Sequence, residues 1–360
     1  MTLTGPGVVL AAAISSLCLS GCTSMAYYWQ SVSGHMQMIN SARPVAEVLT
    51  DAQTPESVKT RLALSQRIRS FAVTELKLPE NASYHRYAEL GRSAVIWNVV
   101  AAPEFSLTLK TWCFPLVGCV GYRGYFSEAA ARMEADKLKA AGLEAAVYGV
   151  PAYSTLGWMN WAGGDPLLST FIRYPEGELA RLIFHELSHQ VIYAADDTMF
   201  NESFATAVER LGSKAWLETQ AGEVARNEYA AFDQRRQQFR ALALATRREL
   251  EAIYDLNDAL SQVIRAPIAT NSIAKNVIMN RFRDNYSVLK ASWDGFAGYD
   301  PWVARANNAT FGAQAAYDEL VPGFEALFAR EAGDWQRFYD AVKRLAALPQ
   351  DARHKALKTD

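Results

Sequence analysis

Two histidines spaced one helical turn apart carry the densest chemistry in this chain. Residues 182–191 read Leu-Ile-Phe-His-Glu-Leu-Ser-His-Gln-Val, so His185, Glu186 and His189 form an H-E-x-x-H pattern. On an α-helix, positions four apart share a face, and both imidazoles can grip one ion. Glu186 lies about a hundred degrees around the helix from His185, within reach of a water on that ion. Leu182, Ile183, Phe184, Leu187 and Val191 are apolar and suit a helix buried beneath a cleft. With only 5 His in the chain, a chance match arises on the order of once in a few hundred such chains. The competing reading, two hydrogen-bonded core histidines, needs partners for every ring nitrogen in one apolar stripe, which is costly.

A catalytic zinc site takes three protein ligands and keeps one position open. The third ligand is not a further His of an extended motif, because Ile192 and Ala195 stand where its Gly and His belong. His35, His85 and His354 lie far away in sequence with no motif around them. The favoured candidate is Glu202 in Asn201-Glu202-Ser203-Phe204-Ala205, thirteen residues after His189. A short loop through Asp196 and Asp197 can fold a second helix, opened by Glu202, back antiparallel on the first. The competing role for Glu202 is an acid stabilised by the helix dipole. The rival ligand is Asp197, whose position beside a turn also suits a turn former. Glu209, seven residues after Glu202, and Glu178, seven before His185, either orient a ligand His or pair with a surface cation. Tyr317 and Tyr153 are candidate donors to a developing oxyanion.

The elements that must position these groups read as α+β, mainly helical. Thr54-Pro55-Glu56 starts a helix with a Thr cap and runs to about Leu76. Residues 93–101 and 144–150 read as strands, and 107–111 as a further short one. Ser127 caps a helix that Gly142 stops. Helices are expected over 178–194 and 201–211, and long ones from Lys214 to about Leu260, where Ala, Glu, Arg, Gln and Leu dominate. Breaks fall at Pro267, between Gly298 and Pro301, at Pro322 and at Pro349. The segment 153–158 could form an edge strand that aligns a peptide, or a plain sheet strand. Nothing in the composition forces a domain boundary. The expected organisation is a leader over 1–21 and one domain over 22–360, strand-containing to about 165 and helical beyond.

The 360 residues are 50% hydrophobic and 21% charged, enough for a sizeable core. Lys plus Arg number 36 against 38 Asp plus Glu, a net charge of −2, so no global charge attracts nucleic acid and none is expected as a partner. Residues 8–19 are an uncharged apolar run, too short to span a bilayer. It ends in Leu19-Ser20-Gly21-Cys22, which resembles the lipobox of bacterial lipoproteins, although no Lys or Arg precedes Val8. The resemblance implies cleavage before Cys22 and its lipidation, removing Cys18 and leaving a chain anchored to a membrane and facing the periplasm. Thr23 in place of an Asp favours the outer membrane. Cys113 and Cys119 then sit in an oxidising compartment, either as a disulfide or as two buried thiols. Their spacing, with no nearby His, makes a poor zinc site.

His185-Glu186-x-x-His189 followed by Asn201-Glu202-x-x-Ala205 resembles the gluzincin type of zinc metallopeptidase. More of the chain resembles the putative aminopeptidase family of bacterial lipoproteins. That likeness runs through the lipobox, Trp112-Cys113-Phe114-Pro115, Gly118-Cys119, residues 122–126, residues 153–158, the HELSHQ segment and residues 201–205. The resemblance implies a zincin-like fold with a small sheet and an active-site helix pair. It implies one Zn2+ per chain on His185, His189 and Glu202, with Glu186 as the catalytic base and a peptide as substrate. Three functions follow: a lipid-anchored zinc aminopeptidase, an envelope endopeptidase acting in protein quality control, or a non-catalytic lipoprotein that uses the helix pair for structure or partner binding.

Overall fold

The computed structural model describes residues 27–114, 118–152, 154–264, 270–315 and 319–358, with side chains throughout except at 257–264, 270–271 and 315. The leader over 1–21, Cys22, Tyr153, Pro267 and Tyr317 lie outside these residues. Helix makes up 61% and strand 10%, an α+β and mainly helical architecture. Among the described residues, no helix is long and apolar enough to cross a membrane.

Helix α1 runs through 27–41. Then come β1 (Arg43–Pro44), α2 (Val45–Thr50), α3 (Glu56–Thr74), β2 (Arg86–Ala88) and β3 (Ile96–Pro103). The hairpin strands β4 (Trp112–Phe114) and β5 (Gly118–Val120) follow, then β6 (Arg123–Tyr125), α4 (Glu128–Ala140), β7 (Leu143–Val150) and β8 (Leu167–Leu168). The expected Thr54 cap on α3 is not made: Pro55 is the N-cap and no side chain caps it. The strand expected over 107–111 is coil instead. Leu107 is buried among the aromatic residues of later helices, and Lys110 donates its N–H to Ala101 O at 2.8 Å.

Strand β3 is the centre of an antiparallel sheet, with β6 on one side and β7 on the other. Its residues Trp97 to Ala102 are all buried. Helix α4 covers one face through Ala131, Ala135 and Leu138, packed with Val99 and Ala101. Ala309, from a later helix, covers the other beside Val100, Ala102 and Ala146. A strand covered on both faces reads as an unbroken apolar run rather than an alternation. Ser127 caps α4 as expected, accepting from Ala130 N at 3.3 Å, and the chain turns through Gly142 at φ +81°. In the β4–β5 pair, Cys113 faces Cys119 and the two are disulfide-bonded.

The helical part comprises α5 (Glu176–Ser188), α6 (Thr198–Thr219), α7 (Glu223–Ile264), α8 (Thr270–Ser292), α9 (Asp300–Ala304), α10 (Asn308–Ala315), α11 (Val321–Arg330), α12 (Trp335–Ala346) and α13 (Gln350–Leu357). Pro301 and Pro322 sit in the first turns of α9 and α11, where their missing N–H costs nothing. The largest core is built on α3, α5, α6, α11 and α12. Leu62, Ile183, Phe184, Phe204, Phe324 and Phe338 are all completely buried there, each contributing about 1.5–3 kcal/mol by leaving water. A second core fills the α7–α8 hairpin with Phe239, Phe282, Tyr286 and Trp293.

Helix α5 ends six residues before its expected limit. Val191, Ile192 and Tyr193 are poor helix formers. Gln190 N and Val191 N close tighter turns onto Leu187 O and Ser188 O, at 3.1 and 2.9 Å. The segment 154–158 is coil and turn, with Leu156 and Gly157 at φ +56° and +77°, so it forms no edge strand for a peptide. Positive φ at consecutive residues breaks the extended pairing a strand needs.

Gly323 on α11 has the backbone of α13 pressed against it, where a Cβ would overlap the carbonyl of Leu357. Replacing Gly by Ala inside a helix ordinarily stabilises by about 1 kcal/mol, but this clash is with backbone and cannot relax by a rotamer change. Gly323→Ala is expected to cost about 1–3 kcal/mol in urea unfolding. Gly222→Ala, with open space around it, is expected to stay within about 0.5 kcal/mol.

Candidate metal centre and its cleft

Helices α5 and α6 run antiparallel, tied at one end by Trp216 Nε1 donating to Glu176 Oε1 at 3.0 Å. At the other end the connecting loop is held by three anchors. Asn201 brackets Ala194, accepting from its N–H and donating to its carbonyl, both at 2.8 Å. Asp196, in the left-handed region at φ +64°, accepts from Cys119 N at 2.7 Å and so fastens the loop to the disulfide hairpin. Asp197 caps α6 by accepting from Phe200 N at 3.0 Å, and pairs with Arg353 and His354 of α13 at 3.3 and 2.9 Å. Asp197 is therefore spent on capping and ion pairing, which removes it as the rival ligand. Gln190, one residue past the motif, donates to Ser83 Oγ at 3.1 Å and accepts from Asn81 Nδ2 at 2.6 Å.

This framing brings His185, His189 and Glu202 together. His185 Nε2 lies 3.3 Å from His189 Nε2 and 3.3 Å from Glu202 Oε2, and His189 Nε2 lies 3.7 Å from that same oxygen. His189 closes α5 as its C-cap and keeps helical dihedrals, so the motif spacing survives the end of the helix. The three donors could hold a metal ion. Tetrahedral bonds of about 2.0–2.1 Å place donor atoms about 3.3–3.4 Å apart, close to the observed triangle. His189 Nδ1 is buried with no hydrogen-bond partner among the described residues, and its Nε2 is the nitrogen that faces the triangle.

Behind the triangle stands Glu209, 3% exposed, whose Oε2 lies 2.9 Å from His185 Nδ1. Its other oxygen accepts from Arg181, which also lies 3.6 Å from Glu178. Glu178 pairs in turn with Arg236 of α7, and Arg236 with Asp233 at 3.0 Å. Glu209 thus both holds the His185 ring and bridges to a cation, while Glu178 pairs with Arg181 and Arg236. Burial works against the Glu209 charge, but Arg181 and His185 outweigh it and hold the carboxyl at about 2. Burial likewise opposes a charge on His185, yet Glu202 and Glu209 lift its pKa to about 10. His189 is pushed down to about 4, mainly by burial. Glu202 is lowered because His189 and His185 overcome its desolvation. Glu186 is pushed up to about 7, first by burial and then by the charges of Glu202, Asp165 and Glu209, against the pull of His185.

Three tyrosines that the sequence did not single out stand close to Glu202. Burial first, and the Glu202 charge with it, raises Tyr122 well above its ordinary value and Tyr193 to about 12. Tyr148 on β7 is raised to about 12 in the same way, with Asn98 opposing. All keep their protons at neutral pH and remain donors. Tyr148 lines a cavity of about 570 Å3 together with His185 and Glu186, a size typical of small-ligand sites. Phe239, Tyr299 and Trp302 form an aromatic part of its wall. Arg181 was legible in principle, four residues before His185 on the same helical face. Tyr148 and Tyr122 carry no such signal, since only the sheet and its hairpin bring them to the helix pair.

The sequence profile of the putative aminopeptidase family matches residues 26–357, and the chain belongs to that family. No curated protein and no solved structure matches it.

The metal-free site holds a proton on His185 at neutral pH, because its pKa is raised to about 10. A metal needs that nitrogen bare and would also draw protons from Glu186, raised to about 7, so binding is expected to release about one to two protons and to strengthen as pH rises. Calorimetry of Zn2+ binding at pH 7, in buffers of differing ionisation enthalpy, measures this count. Glu209→Gln is expected to weaken the ion about 10–100-fold in a chelator competition.

Proposed function

As a member of the putative aminopeptidase family, this chain is, we propose, a zinc-dependent peptidase that removes residues from the amino end of peptides. The observation that carries the reading is the triangle of His185, His189 and Glu202 with Glu186 beside it. Two His on one helix and a Glu on the next is the gluzincin ligand set, and it supports a zincin-like arrangement. Two nitrogens and one oxygen at tetrahedral spacing suit Zn2+. Membership of the family points to hydrolysis of a peptide bond.

A bound zinc supplies Lewis acidity toward the scissile carbonyl and makes water more acidic. The protein's own groups do the rest. Glu186 takes the proton from the attacking water and passes it to the leaving amine, and burial tunes it to about 7 for that exchange. A divalent cation at its side would draw that value down again. Glu209 fixes the ring of His185 so that Nε2 faces the ion. Tyr148, kept protonated at the cavity wall, would be the donor to the oxyanion. A substrate that fills the cavity would displace water from it, which would strengthen each of these contacts.

We further propose that Cys22 carries a lipid and that the protein faces the periplasm, the outer membrane being the favoured site. The Cys113–Cys119 disulfide supports an oxidising compartment.

Glu186→Gln is expected to retain zinc, by elemental analysis, while hydrolysis of a free-amino peptide falls about 10²–10⁴-fold. Unchanged turnover would remove Glu186 as the base, and equal cleavage of amino-blocked peptides would remove the exopeptidase reading. Cys22→Ser is expected to move the protein from the membrane fraction to the soluble one; retention in the membrane fraction counts against the anchor.

A further inference from the structure

The cavity that holds His185 and Glu186 is also lined by five arginines: Arg181 of α5, Arg210 of α6, Arg236 and Arg240 of α7, and Arg305 just after α9. Three of these are neutralised within the protein by described acids. Arg181 meets Glu209 and Glu178, Arg236 meets Glu178 and Asp233, and Arg210 meets Glu325 at 3.3 Å. These pairs build the wall and leave little charge for a ligand.

Arg305 differs. It follows α9 directly, and its backbone N–H donates to Trp302 O at 3.1 Å, so the root of its side chain is fixed. The residue is exposed. Among the described residues no carboxylate lies within ion-pair distance of its guanidinium. Burial, and then the like charge of Arg132, lower its pKa. Arg132 is itself paired with Glu128 at 2.6 Å, and the exposed Arg305 guanidinium lines the cavity. Thr310 and Gln314 line the same cavity and add polar groups, while Trp302 and Tyr299 supply an apolar wall.

A guanidinium presents a planar fork of donors that matches a carboxylate bidentately. Peptides offer carboxylates in two places, at Asp or Glu side chains and at the free carboxyl end. We propose that Arg305 is a specificity-determining residue that holds a substrate carboxylate, so that the cleft favours acidic or free-ended peptides over their neutral counterparts. This rests on the peptidase reading for its substrate class. Because Arg305 is exposed, the preference weakens as ionic strength rises and the Debye length shrinks.

The test separates binding from turnover. Zinc-loaded Glu186→Gln protein is titrated calorimetrically with four tripeptides: Ala-Ala-Glu-amide, Ala-Ala-Gln-amide, Ala-Ala-Ala with a free carboxyl end, and Ala-Ala-Ala-amide. The expected result is that at least one carboxylate-bearing peptide binds about tenfold tighter than its neutral partner, and that Arg305→Gln in the same background abolishes the difference. The arm that responds identifies the side chain or the carboxyl end as the group held. Equal affinities, a preference that survives Arg305→Gln, or no binding by any of the four overturns the inference. The catalytically intact protein is assayed for cleavage of the same peptides. Failure to cleave any of them sinks the peptidase reading, whatever the binding preference turns out to be.

Discussion

A carboxylate buried between two cations organises this protein. Glu209 receives His185 on one oxygen and Arg181 on the other. Removing one partner from such a buried pair leaves an uncompensated charge, at about 3–5 kcal/mol. The cost is avoided only if α5, which carries Arg181 and His185, lies against α6, which carries Glu209 and Glu202. That same packing sets His185, His189 and Glu202 around one point. The apolar stripe of Ile183, Phe184 and Leu187 drives the helices together, but oil-like contacts are indifferent to register. The ionic pair selects the register in which the ligands converge.

The rest of the molecule acts on this helix pair from two sides. On one, the β3-centred sheet and the disulfide hairpin bring Tyr148 and Tyr122 toward Glu202. On the other, Arg236 of α7 extends the alternation of charges away from Arg181, and Phe239, Tyr299 and Trp302 give the cleft an apolar wall. The loop between the ligand helices is fastened by Asn201, Asp196 and Asp197 to three different neighbours. A loop with so many anchors has little freedom to let the ligands drift, as a site built for chemistry requires.

The helix pair and the gathering of His185, His189 and Glu202 on it were legible because helical spacing is local. His185, His189 and Glu209 follow from counting residues, and the Ser127 cap and the turn at Gly142 follow from the same short-range rules. Glu202 required only a short return loop. What could not be read were contacts made across the fold. Asp197 looked like a ligand or a turn former, and only α13 shows where its charge goes. The segment 107–111 has a strand's composition, yet Leu107 is drawn into an aromatic cluster built mostly on α7 and α8, and tertiary packing overrides propensity. Residues 178–194 kept an apolar pattern past the end of α5, because Val191 and Ile192 serve the core without being helical. Tyr148 and Tyr122 come from strand and loop positions whose approach to Glu202 depends on strand pairing, which leaves no trace in local spacing.

The close-set triangle of two nitrogens and one oxygen could hold a metal ion, and such a donor set would discriminate between ions. Calcium asks for six to eight oxygens at about 2.3–2.6 Å, and magnesium for near-octahedral oxygen surroundings. Two imidazoles and one carboxylate do not supply them. Among first-row transition metals, by contrast, such a donor set ranks copper and nickel at least level with zinc. Which of them would occupy such a site would then be decided by the metal supply where folding finishes, rather than by the strength of the grip.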